Sequence, residues 1–281
     1  MSKELLFRAH NSQDTPYIEY SAAEWESILY QKTRKPSYPK LLISILKGIP
    51  SHLRAEIWSY LTRLTLEPRF DFSLKEVPCN LVLKDACRTF PLDPNFKHPK
   101  SWGQKGLLKV LGAYSRYDSS FEYCQGMNYI AGFLLMHLFS YEDAFKAFVY
   151  VMTVLNWKEV YLEGTPKLLN MLQQLDRLIE LRLKDIHLHL AQECVDISVF
   201  SHFFFTVCVY KFPLELSVRV FDMFLLEGEQ VILNLILRML EFQKDKILKL
   251  KYFDLYTYLN NELVYECHSL YSAVSLLSSP N

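Results

Sequence analysis

Apolar positions along most of the chain recur every three or four residues, which is the spacing of one face of an α-helix. Leu53, Ile57 and Leu61, for example, follow Ser51, which stands where the N-cap of a helix is expected. No segment shows the strict alternation of apolar and polar residues that is typical of a half-buried strand, and no fixed repeat is visible. The pattern predicts an all-α globular protein.

Caps and prolines set the limits of the predicted elements. Ser140 is expected to cap one helix, Pro166 and Pro213 are expected to open two more, and Gly228 is expected to close the helix that Pro213 opens. Residues 32–40 contain two prolines and are predicted to be an extended linker, and residues 67–79 are predicted to be a loop. The predicted helices span about 21–31, 51–64, 80–90, 104–117, 127–140, 141–155, 166–183, 197–211, 213–226, 230–246 and 252–277, the last with a break.

Composition and charge exclude some classes of protein. Half of the 281 residues are hydrophobic, so the chain is able to bury one large core or two smaller ones. Lysine plus arginine and aspartate plus glutamate each number 31, which leaves no net field to attract nucleic acid or anionic lipid. The basic run at residues 244–251 is interleaved with leucines and is expected to be the solvated side of a helix or its exit loop. We expect no nucleic-acid partner.

Cysteine, histidine and hydropathy patterns argue against metal sites, disulfides and membrane insertion. The six cysteines have no CxxC spacing, and His187 and His189 are two apart and would not share a helix face. The apolar segments 127–140 and 199–210 are shorter than a bilayer span and are predicted to be buried helices. The first 15 residues lack the apolar core of a signal peptide, so we expect a reducing, cytoplasmic location.

The first candidate for function is a pair of opposite charges. Asp85 and Arg88 are three apart on a short predicted helix, a spacing at which a carboxylate holds a guanidinium. Such pairs are most often surface ion pairs of small energetic value. Arg88, however, stands in the last turn ahead of Pro91, so it is placed to project beyond the helix.

The second candidate is the segment YCQGMNYIAG at residues 123–132, in which Gln125 precedes Gly126 and Met127 at the start of an apolar helix. Gly126 permits close backbone approach, and the amides at this helix start are able to donate to an oxygen of a ligand or partner. The alternative is structural, with Gln125 capping its own helix and Asn128 satisfying a buried carbonyl.

The third candidate is the pair Arg54 and Trp58, which are four apart and share a helix face. Stacking of the guanidinium on the indole is compatible with this spacing. A buried tryptophan with a paired arginine more often locks helices together than meets a substrate, so we interpret this pair as structural.

Together and in this order, these groups resemble the TBC domain, the family of GTPase-activating proteins for Rab GTPases. The similar positions are Gly48, Ile49, Pro50, Arg54, Trp58 and Leu61 in the opening motif; Val82, Asp85, Arg88, Thr89, Phe90 and Pro91 in the arginine-finger motif; Tyr123, Cys124, Gln125, Gly126 and Met127 in the glutamine-finger motif; and Arg219 and Asp222 in the Phe-Pro-Leu helix. One departure is that Phe203 and Phe204 stand where many members carry a Trp-Phe pair.

The resemblance implies an irregular multi-helix bundle with two packed helical lobes over residues 41–265. It would follow an extension at 1–40 and precede a helix end and tail at 266–281. Arg88 would enter the nucleotide site of a GTP-bound Rab and neutralise charge on the γ-phosphate, while Gln125 would orient the attacking water. The expected supporting or interface residues are Asp85, Thr89, Tyr123, Gly126, Met127 and Asn128.

The resemblance also carries expectations about cofactors, location and alternatives. Since GTP and Mg²⁺ would belong to the Rab, we expect no cofactor of this chain's own, no direct membrane insertion, and recruitment to endomembranes in vesicle trafficking through the partner. A TBC-like scaffold that binds a Rab without catalysis stays an alternative. So does a cysteine hydrolase that uses Cys124 with His202 as base; His137 lies 13 residues away along one predicted helix, too far for a hydrogen bond.

Overall fold

The computed structural model describes residues 22–30, 37–63 and 80–267 of the chain. These residues contain fifteen α-helices and no strand, which confirms the all-α prediction for this part of the protein. The helices are α1 (Ala22–Tyr30), α2 (Tyr38–Lys47), α3 (Arg54–Leu61), α4 (Asn80–Arg88), α5 (Trp102–Tyr117), α6 (Met127–His137), α7 (Tyr141–Val149), α8 (Pro166–Arg182), α9 (Lys184–Gln192), α10 (Ser201–Phe205), α11 (Leu214–Glu227), α12 (Gln230–Phe242), α13 (Lys244–Ile247), α14 (Tyr252–Thr257) and α15 (Leu263–Glu266).

The chain divides into two compact units. One unit joins α1 to Ile49–Lys158 and therefore contains α3 to α7. The other joins α2 to the chain from Glu159 onward and contains α8 to α15. Short 3₁₀ segments at Ser51–Leu53, Trp157–Val160 and Ile197–Phe200, and π segments at Tyr150–Val154 and Tyr258–Glu262, connect or extend the helices.

The first of these units is built around α6, which is apolar on nearly every side. Eight of its eleven residues are buried, so the helix has to be surrounded by protein. It packs against α4, α5 and α7. An added Cβ at Gly106 of α5 would lie 2.8 Å from a methyl of Leu135 in α6, so the glycine lets the two helices approach closely. Within the described residues, no helix has the length and apolar character needed to cross a bilayer.

Several predicted helix ends are confirmed by their capping contacts. Ser140 Oγ accepts from the Asp143 amide at 3.0 Å and donates to the Asp143 carboxylate at 2.6 Å, which begins α7. Pro166 occupies the first turn of α8, where the missing N–H costs no hydrogen bond. Gly228, at a φ of 64°, closes α11.

The linker and cap predicted near residue 40 are wrong in part. The helix α2 begins at Tyr38, not after Lys40, because Pro39 lies in its first turn and is tolerated there. Ser51 does not act as a side-chain cap, since it begins a 3₁₀ turn after Pro50 and α3 follows only at Arg54. The loop predicted at residues 67–79 lies outside the described residues.

The helix predicted at residues 197–211 ends early, at Phe205. Val207 and Cys208 follow with φ of 50° and 55°, a conformation that cannot continue a right-handed helix. A side chain supplies a hydrogen bond to the backbone freed by this break, because the Ser217 hydroxyl donates to the Cys208 carbonyl at 2.8 Å.

The helix α9 at residues 184–192 was not predicted. It follows α8 after a single residue, Leu183, so the end predicted at 183 for the helix opened by Pro166 is confirmed while the helix that comes next was missed. In α9, His187 pairs with Asp176 while His189 Nε2 contacts the Leu250 carbonyl at 2.9 Å. The two histidines thus have different partners, as their spacing predicts.

Three of the four lysines in the basic run at 244–251 pair with acidic neighbours in their own unit. Lys244 pairs with Asp185 at 2.6 Å, Lys246 with Glu266 at 2.5 Å, and Lys251 with Glu193 at 2.8 Å. The run is therefore a paired, solvated surface. The cysteines within the described ranges are free thiols, and those ranges contain no cluster of three metal-ligating side chains.

Arg219 joins α11 to α2. Its Nη2 donates to the carbonyls of Ile45 at 3.2 Å and Leu46 at 2.9 Å, and its Nη1 lies 3.4 Å from Asp222 Oδ2. Carbonyls in the last turn of a helix lack intrahelical partners and carry the negative end of the helix dipole, so a buried guanidinium is stabilised there.

Replacing Arg219 by leucine should lower the free energy of unfolding by about 3 kcal/mol, because the charge partner of the buried Asp222 is removed. Urea denaturation measures this loss. Arg238→Leu is the matched control, since Arg238 forms an exposed i,i+3 pair with Glu241 that is worth less than about 1 kcal/mol. Equal losses in the two variants would contradict the structural role of Arg219.

Candidate functional site

Arg88 is the last residue of α4, as predicted, and its side chain is 54% exposed. The helix stops here for two local reasons. The Thr89 hydroxyl donates to the Asp85 carbonyl at 2.7 Å, and Phe90 turns away from helical geometry with a φ of 45°. The arginine therefore leaves the scaffold at a fixed point just before Pro91.

A fully buried carboxylate holds the Arg88 guanidinium. Asp85 Oδ1 accepts from Arg88 Nε at 2.8 Å and lies 2.6 Å from Nη2, while the Tyr123 hydroxyl donates to Oδ2 at 2.5 Å. Each carboxylate oxygen thus has a donor, and the bonds to the guanidinium are charge-assisted. The Asp85 carboxylate thus holds the Arg88 guanidinium, as the i,i+3 spacing predicts.

Gln125 is exposed and lies in the turn directly before α6. The N-cap position of α6 is occupied by Gly126, whose φ of 113° is strained for any residue with a side chain. The alternative in which Gln125 caps its own helix is therefore wrong. The glutamine side chain instead stands at the surface.

Asn128 is buried in the first turn of α6. Its Oδ1 accepts from the Gly126 amide at 3.0 Å and lies 3.2 Å from the Tyr123 hydroxyl, while its Nδ2 donates to Thr89 Oγ1 at 2.8 Å. The alternative in which Asn128 satisfies a buried carbonyl is therefore wrong. The Cys124 amide contacts the sulfur of Met127 at 3.2 Å, which closes the same turn from inside.

The turn after Arg88 packs directly on α6. A Cβ added at Gly132 would lie 2.9 Å from the Phe90 ring and 3.1 Å from the Thr89 methyl, so only glycine permits this approach. The Phe90 ring also meets the rings of Phe96 and Tyr129 edge to face. The segment that carries Arg88 is thus supported on its inner side.

Trp58 lies in the core of the same unit, and Arg54 is half-buried one helical turn before it. The indole of Trp58 is fully buried against Phe133 and His137, and Arg54 Nη2 donates to the Ile49 carbonyl at 2.6 Å. These contacts fit the predicted structural role of the pair.

The surroundings of Cys124, His137 and His202 disfavour the charge states that a cysteine hydrolase needs. Burial raises the pKa of the Cys124 thiol, so the thiolate nucleophile is disfavoured. Burial, with the charge of Arg54, lowers the pKa of His137 to about 3. Burial, with the charge of Lys211, lowers the pKa of His202 to about 4. A protonated thiol and a weakly basic imidazole do not form the ion pair that such catalysis uses.

Comparison with known proteins identifies the family. The protein-family model of the Rab-GTPase-TBC domain matches residues 51–248 of the chain. The chain belongs to this family. TBC1 domain family member 1 of Homo sapiens is 32% identical over 253 residues, which cover 84% of this chain and 22% of that protein. The Rab GTPase-activating protein tbc-11 of Caenorhabditis elegans is 28% identical over 241 residues, which cover 81% and 26%.

A solved structure supports the same fold. The crystal structure of the Chlamydomonas flagellar RabGAP TBC domain matches with a TM-score of 0.78 and 20% identity, covering 92% of this chain and 90% of that one. The chain spans only about a fifth to a quarter of the length of the two relatives above. Within this TBC domain, Arg88 and Gln125 lie in one compact unit.

The buried neutral state of His137 predicts a pH-dependent stability. The unfolded chain protonates this histidine near pH 6.5 and the folded chain only near pH 3, so the unfolded state binds more protons between these values. The free energy of unfolding should therefore fall as pH drops below 6.5, by up to about 1.4 kcal/mol per pH unit from this group. Urea denaturation between pH 7 and 4.5 measures the slope.

His137→Leu is expected to remove this part of the slope, whereas His98→Leu, at an exposed position, should leave it unchanged. If the free energy of unfolding depends on pH equally in wild type and both variants, the conclusion that folded His137 is buried and neutral is wrong.

Proposed function

We propose that this chain accelerates the hydrolysis of GTP bound to a small GTPase of the Rab class, and that it supplies Arg88 and Gln125 in trans. Membership of the Rab-GTPase-TBC domain family supports the proposal, as does the name of the related Rab GTPase-activating protein tbc-11. The observation that carries it is a pair of exposed polar side chains, Arg88 and Gln125, on two segments that hydrogen bonds join to each other. These bonds run from Tyr123 to Asp85 and from Asn128 to Thr89.

Arginine suits the first role for electrostatic reasons. Charge builds on the γ-phosphate oxygens during hydrolysis, and a planar, permanently charged guanidinium matches those oxygens better than an ammonium does. Asp85 engages Nε and Nη2 of Arg88, which leaves Nη1 directed away from the carboxylate. In this proposal Nη1 meets the phosphoryl oxygens while Asp85 keeps the fork from rotating.

Glutamine suits the second role because its amide both donates and accepts hydrogen bonds. An attacking water needs an acceptor for one of its protons and a fixed direction toward phosphorus. Gln125 offers both on a turn that Gly126 and Asn128 hold in place. It would act in place of the glutamine of the GTPase.

The proposed partner is a Rab in its GTP-bound state, because the γ-phosphate is the group on which both side chains would act. The nucleotide and Mg²⁺ would come from that partner, so the chain would need no cofactor of its own. A cytoplasmic location, with recruitment to endomembranes in vesicle trafficking through the Rab, belongs to the same proposal.

Single-turnover phosphate release from a panel of GTP-loaded Rabs tests the proposal. For the responsive Rab, Arg88→Ala should lower the rate by about 10³-fold or more, on the scale of arginine fingers in Ras and Gα. Gln125→Ala should lower it by about 10²-fold, because one preorganised polar group is lost. Arg88→Lys should recover little, since an ammonium is only a point charge.

Two matched controls lie elsewhere in the chain. Arg182 is an exposed arginine that also ends a helix, and Gln230 is an exposed glutamine that also begins one, so Arg182→Ala and Gln230→Ala should keep the full rate. A wild-type chain that binds a GTP-loaded Rab but never speeds hydrolysis would establish the scaffold alternative instead.

A further inference from the structure

We infer that Asn128 is a positioning residue that ties the segment carrying Arg88 to the segment carrying Gln125, so that the two side chains act as one coupled unit. The inference rests on the function proposed above and adds to it. It concerns residues that do not themselves need to touch the partner.

The amide of Asn128 reaches both segments at once. Its Nδ2 donates to the hydroxyl of Thr89, the residue after Arg88, at 2.8 Å. Its Oδ1 accepts from the amide of Gly126, the residue after Gln125, at 3.0 Å. One side chain therefore bonds the immediate neighbour of each proposed catalytic residue.

The direction of these hydrogen bonds is fixed. The single proton of the Thr89 hydroxyl is used by the Asp85 carbonyl, so Thr89 Oγ1 is left to accept from Asn128. Rotating the amide by half a turn would place two acceptors against each other at Thr89 and two donors at Gly126. Both Asn128 and Thr89 are buried, so a broken bond carries the full desolvation cost of a polar group.

A second tie lies on the other side of both segments. The Tyr123 hydroxyl donates to Asp85 Oδ2 at 2.5 Å. Along the chain, Arg88 lies between the tied residues Asp85 and Thr89, and the glutamine lies between Tyr123 and Asn128. Each proposed catalytic residue is thus flanked by two cross-links to the segment of the other.

Close packing next to Asn128 limits how far the two tied segments are able to move apart. Gly132 lies one helical turn after Asn128, on the same face of α6. The Thr89 methyl and the Phe90 ring occupy the space where a Gly132 side chain would stand. A shift of the Arg88 segment would therefore have to move α6, whose first residue directly follows the turn that carries Gln125.

Coupling of this kind makes a specific kinetic prediction. Because the ties contact only this chain, losing one should lower kcat through misplacement of the reacting groups and leave KM nearly unchanged. A tie near one catalytic residue should also affect the contribution of the other, which independent residues would not do.

The first measurement is the rate of GTP hydrolysis at increasing concentrations of the GTP-loaded responsive Rab, up to saturation. These rates give kcat and KM separately. Thr89→Val keeps the side-chain shape and removes the hydroxyl, and we expect it to lower kcat by about 10-fold to 100-fold with KM within about twofold. Thr89→Ser restores the hydroxyl and should rescue most of the rate.

Thr62→Val is the matched control for stability. Thr62 is buried in the same unit, follows α3 directly, and donates to the carbonyl four residues earlier at 2.7 Å, as Thr89 does. This variant should shift the thermal unfolding midpoint by a similar amount and leave kcat unchanged.

The decisive measurement combines the loss of one catalytic residue with the loss of a tie, and follows the activity that depends on the other catalytic residue. Adding Thr89→Val to Arg88→Ala should lower the residual rate, which depends on Gln125, by a further factor of about five or more. Adding Asn128→Ala to Gln125→Ala should do the same to the rate that depends on Arg88.

If each double variant matches its parent while the Arg88→Ala and Gln125→Ala variants are impaired, the coupling is overturned and the proposed function stands. If neither parent differs from an inactive wild type, the proposed function fails and the coupling fails with it.

Discussion

The site depends on one buried charge, the carboxylate of Asp85. A carboxylate without access to solvent is strongly unfavourable unless it is paired and hydrogen-bonded, and here the guanidinium of Arg88 and the hydroxyl of Tyr123 meet that need. The pairing also constrains the arginine, because the bonds that neutralise Asp85 hold the Arg88 guanidinium in one orientation. The buried end of the pair thus determines where the exposed end points.

Two ion pairs with the same i,i+3 spacing have different roles in this chain, and the burial of the guanidinium determines the role. Asp85 with Arg88, and Arg219 with Asp222, are both i,i+3 pairs of opposite charge. In the first pair the guanidinium is half exposed above a buried carboxylate, which suits a partner that arrives from outside. In the second pair the guanidinium is itself buried and joins α11 to the carboxyl end of α2. The first is a candidate for catalysis and the second holds helices together.

The sequence predicts features whose causes are local. Helix positions follow from apolar periodicity, and the ends at Ser140, Pro166 and Gly228 follow from capping chemistry within a few residues. The placement of Arg88 at a helix end and of Gln125 at a helix start is local as well. The bonds from Asp85 to Tyr123 and from Thr89 to Asn128 cross 38 and 39 residues, and no periodicity or spacing in a single sequence encodes them.

The most direct test of the central claim is a crystal structure of this chain bound to the responsive Rab with GDP and aluminium fluoride, which mimics the transferring phosphoryl group. We predict that Arg88 Nη1 lies within hydrogen-bond distance of a fluoride and that the Gln125 amide contacts the in-line water, with Asp85 still bonded to the guanidinium. A complex in which the Rab binds this unit while both side chains stay away from the nucleotide would contradict the account.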